Sequence, residues 1–380
     1  MPDRSSHLFS PFRLRDVILS NRIAVSPMCQ YSAHDGLLND WHFVHLGSRA
    51  VGGAGLILLE ATAVSPEGRI SPGDLGLWED AQIDGCARAV EFINKQGAAA
   101  GIQLGHAGRK ASMAPPWETV RHIPPAEGGW TDVIGASAVP FSEAHPTPRV
   151  MNQDDIERLQ SCFVTATQRA VRAGFQVLEL HAAHGYIFHQ FLSPLSNRRT
   201  DAYGGNFANR ARLLMETVTR VRQVWPSTRP LLVRISATDW LEDGANSTRS
   251  GDQTGWTLHE TMALVKALRP LGVDLVDVSS GGNVRANIPV GSGYQTHFAE
   301  QIRRETGVAT GAVGLITSAA QADHIIRSEQ ADLVLLAREL LRDPYWPLRA
   351  AEVLRQEISW PVQYQRASHG RPPARQSFPS

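Results

Sequence analysis

The chain has 380 residues, with 37 basic and 37 acidic side chains and hence a formal charge of zero. Apolar residues make up 42% and charged ones 19%, too apolar for a disordered chain and long enough to bury a large core. The neutral balance, without a run of five like charges, leaves no electrostatic footprint for nucleic acid or an anionic membrane, so neither is expected as a partner.

In chain order, the N-terminus MPDRSSHLFSPFRLRD has charges where a secretion signal needs an apolar core. Residues 9–21 read as a hairpin ahead of the first strand, placed to close the bottom of the fold. Strand-like apolar runs come at 23–26, 56–60 and 99–104, with a helix predicted over 80–96. Residues 110–153, rich in Pro, Gly and Trp, then interrupt the rhythm. Loops of that length are uncommon unless they have a function, and this one is expected to be a lid. A helix over 153–173 leads to a run at 177–180. Another over 206–224 leads to 231–235, and one over 257–268 to 275–278 and 308–312. A helix over 318–327 precedes the last run at 333–336. The tail 369–380 is polar and Pro-rich, and is expected to be disordered.

Eight mostly continuous apolar runs alternating with helices are the pattern of strands buried on both faces. They predict an α/β fold, a (β/α)8 TIM barrel formed by a single domain over 1–368, with the lid after its third strand. A doubly wound sheet shares the alternation, but neither GxGxxG nor GxxxxGK[ST] is present. The cysteines Cys29, Cys86 and Cys162 are scattered, with no CxxC pair, so no disulfide framework, zinc or iron–sulfur site is expected. No uninterrupted apolar stretch of about 18 residues is present, and the protein reads as soluble and cytoplasmic.

A barrel carries its chemistry at the C-terminal ends of its strands. Those positions hold Ser26, Pro27, Met28 and Cys29, then Ala61, then Gln103 with His106 and Lys110, then the run HAAHGY, Arg234, a Gly-rich stretch ending at Gly314, and Arg338. The glycines and arginine at the seventh and eighth ends suit a phosphate held by backbone N–H groups. His181 and His184, three apart, would face the same way on a helical turn. Three readings are open for them. They could be a zinc pair, but no HExxH and no third ligand accompany them. They could be a structural pair. Or they could donate to a substrate oxygen, with Tyr186 as proton source.

The segments NRIAVSPMCQYS (21–32), GLILLEATAVSPEGR (55–69), IQLGHAGRKA (102–111) and ELHAAHGYIFHQFLSPLSNRRTDAYGG (179–205) resemble the Old Yellow Enzyme family of flavin-dependent ene-reductases. So do VDVSSGG (276–282), TGAVGLIT (310–317) and LARELLRDPYW (336–346). The SPMC segment with the histidine pair is similar to the thermophilic-like subgroup, which includes xenobiotic reductases. The resemblance covers about residues 8–366, in family order.

It implies noncovalent FMN over the barrel mouth, lined by Ser26, Pro27, Met28 and Cys29, with Ala61, Gln103 and Arg234 at its polar edge. Gly314, Ala337 and Arg338 would hold the phosphate. The family often has glycine where this chain has Ala337, and a methyl there requires φ below zero. NADPH, or NADH, would reduce the flavin, which passes a hydride to the β-carbon of an α,β-unsaturated carbonyl compound. His181 and His184 would bind the carbonyl oxygen and Tyr186 would protonate the α-carbon. Tyr31 and Lys110 would line the substrate pocket, and Cys29 would tune the flavin without acting as a nucleophile. PVQYQRA (361–367) resembles a segment whose arginine, here Arg366, enters a neighbouring subunit's site, so a homodimer or dimer of dimers is implied. A non-redox lyase for a phosphorylated metabolite and a flavin-binding sensor remain the alternatives.

Overall fold

A computed structural model describes residues 7–241 and 254–368, and the tail from 369 onward lies outside the described residues. The chain opens with an antiparallel hairpin of β1 (Phe12–Leu14) and β2 (Val17–Leu19), turned at Arg15 with φ 51. Then come β3 (Ile23–Val25), α1 (Asp40–Val51), β4 (Leu56–Ala63), α2 (Ile83–Lys95) and β5 (Ala99–Gly105). The lid is next, with a short parallel pair, β6 (Ile134–Gly135) and β7 (Arg149–Val150). Beyond it lie α3 (Gln153–Ala173), β8 (Val177–Ala182), α4 (Ile187–Leu192), α5 (Phe207–Val224), β9 (Leu231–Ser236) and α6 (Leu258–Leu268). The chain continues with β10 (Leu275–Ser279), α7 (Thr296–Thr306), β11 (Ala309–Ala312), α8 (Ala319–Arg327), β12 (Leu333–Leu336), α9 (Arg338–Arg342) and α10 (Trp346–Val353).

Among the described residues, β3, β4, β5, β8, β9, β10, β11 and β12 close into one parallel barrel, with β12 pairing back onto β3. This is the expected (β/α)8 barrel. Its apolar side chains divide into two cores. Outward-facing residues such as Ile57, Leu59, Ile102, Leu178 and Val233 pack against the helices. Inward-facing Ala24, Leu56, Leu58, Val177, Leu232, Leu275 and Leu335 fill the barrel from below, together with Leu14, Val17 and Leu19 of the hairpin. The hairpin therefore plugs the bottom, as its position implied. Burying each leucine of this kind contributes about 1.5–3 kcal/mol.

Helix starts obey local chemistry. Asn152 caps α3 by accepting the Asp155 N–H at 2.8 Å, and α3 ends at Gly174, whose left-handed φ of 90 suits a residue without Cβ. Thr257 and Ser318 cap α6 and α8 in the same way. Two expectations shift. The helix predicted from 80 begins at Ile83, because Asp80–Gln82 forms a 3-10 turn. Strands β4 and β8 run past their apolar stretches, to Ala63 and Ala182. A register irregularity between Leu59 and Ala61 sets Ala61 directly opposite Gln103 on β5. Among the described residues, no helix is long and apolar enough to cross a membrane.

Candidate active site

The barrel mouth opens where the strands end, and its floor is a buried polar layer. Gln103 Nε2 donates to Glu179 Oε1 at 2.7 Å. Arg234 Nε lies 3.2 Å from Asp277 Oδ2, and Arg234 Nη1 donates to Ser26 Oγ at 3.1 Å. All five side chains are buried. They sit on β5, β8, β9, β10 and the residue just past β3, and Arg234 pairs in register with both His181 and Asp277.

Above this layer stand His181, His184 and Tyr186. The histidines meet, but not on a helical turn: His181 lies inside β8, His184 has a left-handed φ of 57, and α4 starts only at Ile187. A strand end followed by a left-handed residue turns the chain sharply, which helical spacing cannot foresee. The His181 ring is edge-on to His184, with centroids 5.2 Å apart, and edge-on to Tyr186 at 4.7 Å. His181 Nδ1 accepts the Ala183 N–H at 3.2 Å, so in the neutral ring the proton sits on Nε2, which can donate. Burial and the nearby Arg234 hold both imidazoles well below their ordinary pKa. Burial pushes the Tyr186 hydroxyl well above its ordinary value, and it stays protonated at neutral pH.

His184 is fastened from three sides. Its N–H donates to Ser236 Oγ at 3.0 Å, its Nε2 bonds Ser279 Oγ at 2.7 Å, and its carbonyl accepts from Lys110 Nζ at 2.8 Å. Lys110 also donates to the Gly282 carbonyl and lies 3.8 Å from the centre of the Phe141 ring. Burial pushes its ammonium down to about 7, while the two carbonyls and the ring favour the charged form. It thus ties the His184 turn to the 281–282 turn, where a Cβ on Gly185 would stand 2.4 Å from the Gly282 carbonyl oxygen. Beneath, His189 Nδ1 accepts the Gly185 N–H at 3.0 Å and its Nε2 lies 3.0 Å from Asp239. This fully buried pair braces the same turn.

Cys29 lies by Asp74 and Glu60, and burial with those two carboxyls lifts its thiol well above the ordinary value, so it is a neutral thiol. Tyr31 packs edge-on against Trp117 of the lid, centroids 5.6 Å apart. Trp130 and Val133 of the lid pack with Ala107 and Tyr186, and Arg69 stacks between Trp130 and Trp78 at 5.0 and 5.2 Å. Ala61, Asp74, His106, His181 and Tyr186 line a small cavity below the lid.

At the far rim, Gly314 has φ 124, and a Cβ there would lie 2.9 Å from Gln295 Nε2. Ala337 has φ −108, which accommodates its methyl. The Arg338 side chain makes no hydrogen bond or ion pair among the described residues, and its charge is near enough to Tyr294 to favour that residue's ionised form. Pro27 and Met28 continue the chain between Ser26 and Cys29, with Met28 packed on the outer core. Arg366 is not brought to this mouth. It is exposed, in a surface cavity of about 430 Å³ with Tyr345, Leu348, Arg349 and Trp360.

These residues fit FMN. A backbone stretch where only glycine is relaxed, with a guanidinium carrying no carboxylate, suits a phosphate. Buried Gln103 and Arg234 can meet the polar edge of a flavin ring. The sequence alone does not single out Glu179, Asp277, Ser236, Ser279 or the His189–Asp239 pair. Glu179 and Asp277 do carry a signal there, a carboxylate inside an otherwise apolar strand run. The serines become visible only once neighbouring strand ends are placed side by side.

The sequence profile of the NADH:flavin oxidoreductase / NADH oxidase family matches residues 7–357. An NADPH dehydrogenase of Geobacillus thermodenitrificans is 49% identical over 361 residues, covering 94% of this chain and 98% of its own. An NADPH dehydrogenase of Bacillus velezensis is 47% identical over 362 residues, covering 95% and 98%. Among solved structures, morphinone reductase matches with a TM-score of 0.74 at 27% identity, over 93% of this chain and 91% of that one. A 2-naphthoyl-CoA reductase matches with a TM-score of 0.80 at 22% identity, over 91% and 52%, a likeness of fold alone.

Proposed function

The chain belongs to the NADH:flavin oxidoreductase / NADH oxidase family, the Old Yellow Enzyme family its motifs point to, and from that premise we propose that it is an FMN-dependent ene-reductase. It is an NADPH-dependent flavin oxidoreductase whose substrate is a small α,β-unsaturated carbonyl compound. The observation that carries this reading is the pairing of a neutral imidazole donor with a protonated phenol, His181 beside Tyr186 at 4.7 Å between ring centres, over a floor suited to a flavin edge.

When bound, FMN supplies hydride chemistry, taking from NADPH and giving to the alkene. Ala61, Gln103 and Arg234 would bind its polar edge, Ser26, Pro27, Met28 and Cys29 would line one side of it, and Gly314, Ala337 and Arg338 would hold its phosphate without a covalent link. His181 donates Nε2–H to the substrate carbonyl oxygen, with His184 completing the pair beside it. Donors fixed in a buried site stabilise the negative charge that grows on that oxygen, and removing one typically costs about 2.7–4 kcal/mol. The Tyr186 hydroxyl holds the proton for the α-carbon. Tyr31, the Lys110 region and the lid shape the pocket and exclude water. Arg366, exposed on its own chain, reaches the site of a neighbouring subunit in a homodimer or dimer of dimers, and the protein acts in the cytoplasm.

Tyr186→Phe tests the assignment. Flavin bleaching by NADPH should keep its rate, while return of colour with 2-cyclohexenone should slow by about 10²-fold or more, the scale of a positioned general acid. Equal return rates in the two proteins would remove Tyr186 from the mechanism.

A further inference from the structure

The floor of the mouth holds one guanidinium and two carboxyl groups, all sealed from water. Glu179 and Asp277 are both 0% exposed. Arg234 Nε lies 3.2 Å from Asp277 Oδ2, an ion pair without a hydrogen bond, and Arg234 Nη1 donates to Ser26 Oγ at 3.1 Å. Glu179 has only the neutral Gln103 amide, on Oε1 at 2.7 Å, and its Oε2 has no hydrogen-bond partner among the described residues. One cation cannot neutralise two buried carboxylates, and an ion without a counter-charge in such a place takes up a proton. Asp277 has the cation, so Glu179 is the group that keeps the proton.

We propose that Glu179 is a positioning residue beneath the cofactor, a neutral carboxylic acid that fixes the Gln103 amide and leaves Asp277 as the sole counter-charge of Arg234. The proposal rests on the reading that FMN occupies this mouth. Its chemical consequence concerns charge. While Glu179 is neutral, the layer is balanced as Arg234 with Asp277, and the flavin's polar edge faces no excess negative charge. Loss of the Glu179 proton to solvent places an uncompensated carboxylate there and disfavours adding electrons to the ring. Burial, reinforced by Asp277 and opposed by Arg234 and the Gln103 bond, pushes the Glu179 carboxyl up to about 8. The charged and titratable groups around it are Asp277 on β10, Arg234 on β9 and His181 two residues on, which stays neutral.

Two measurements test this, and the first does not need the cofactor. The infrared spectrum of the apoprotein at pH 6–7 should contain the C=O stretch of a buried protonated carboxylic acid that fades on titration through about pH 8. Glu179→Gln should lose the component of that band that fades near pH 8, while the component from Asp74, raised to about 7, remains. In the FMN-loaded protein, the midpoint potential of Glu179→Gln should equal that of wild type at pH 6–7, because the amide copies the neutral acid. Above pH 8 the wild-type potential should drop more steeply with pH than that of the variant. A variant potential already higher than wild type at pH 6, or identical acid bands in wild type and Glu179→Gln at that pH, would show an ionised Glu179 and overturn the proposal. A protein that holds no FMN leaves the infrared result standing and refutes the functional reading alone.

Discussion

At the scale of single residues, the backbone at Gly314 and the ring nitrogens of His181 are where chemistry and conformation meet. Gly314 combines φ 124 with close neighbours at 2.9 and 3.2 Å from any added Cβ, the nearer one being a Gln295 amide already bonded to the Val313 carbonyl. A methyl there meets backbone strain of about 1–3 kcal/mol and crowds the stretch assigned to the phosphate. Gly314→Ala should therefore weaken FMN retention about tenfold, measured by fluorescence as the flavin is released on dilution. Gly291→Ala, on a neighbouring loop with nothing within 4 Å, should leave retention unchanged. Equal retention in both variants would take the phosphate away from Gly314. The identities of these residues were legible in the sequence, because the motifs name them. Their conformations were not. His184 keeps its φ of 57 because Ser236, Ser279 and Lys110 hold it from three other segments, and no local pattern encodes those bonds.

At the scale of elements, the strands and the place of the lid were easy to see, and the contacts that hold the lid were not. A strand buried on both faces is mostly apolar, so each barrel strand announced itself as an apolar run, and in the fold Asn152, Thr257 and Ser318 cap the helix starts. The lid has almost no periodic signal. It is held by particular contacts instead, such as Ser112 Oγ taking the Trp130 N–H at 2.9 Å while donating to the Ile123 carbonyl at 2.8 Å. Trp130 packs beside Tyr186 and on Arg69, whereas Trp117 is 67% exposed and touches Tyr31 at its edge. The two tryptophans should therefore separate in function. Trp130→Ala should raise KM for 2-cyclohexenone several-fold and admit bulkier enones, with kcat for those enones rising. Trp117→Ala should change KM by less than about twofold. Steady-state kinetics over an enone size series checks both, and equal effects would mean that Trp130 is only an anchor for the lid.

At the scale of the whole molecule, formal neutrality hides an interior rich in displaced titrations. Burial lowers His42 and His106 to about 4 and His45 to about 3, and it holds His181 and His184 well below their ordinary values. Below the ordinary imidazole value of 6.5 the unfolded chain takes up protons that the fold refuses, so stability declines as pH falls from about 6.5 toward 4. The ion-paired carboxylates Asp132, Asp155 and Asp201, all held below their ordinary value of 3.8, continue the loss as pH falls below about 4. Asp74 and Glu179, raised by burial to about 7 and about 8, act with the opposite sign. The fold keeps protons that the unfolded chain releases near pH 4, so stability falls as pH rises toward those values. Above pH 6.5 this second effect, which the buried Glu60 carboxyl joins, outweighs the single opposing contribution of Lys110, whose ammonium is lowered to about 7 and which therefore adds stability as pH rises past that value. The melting temperature should therefore peak near pH 6–7 and be lower at both pH 5 and pH 8. A steady rise from pH 5 to pH 8 would mean that the buried carboxyls are ionised in the fold.

Both halves of an ene-reduction are assigned to one barrel mouth, and an anaerobic visible spectrum tests that assignment most directly. The purified protein, loaded with FMN, is titrated with NADPH and then with 2-cyclohexenone. Flavin absorbance should bleach with one equivalent of NADPH and return with the enone. A protein that stays colourless after incubation with FMN would contradict the assignment and favour a non-redox barrel acting on a phosphorylated metabolite.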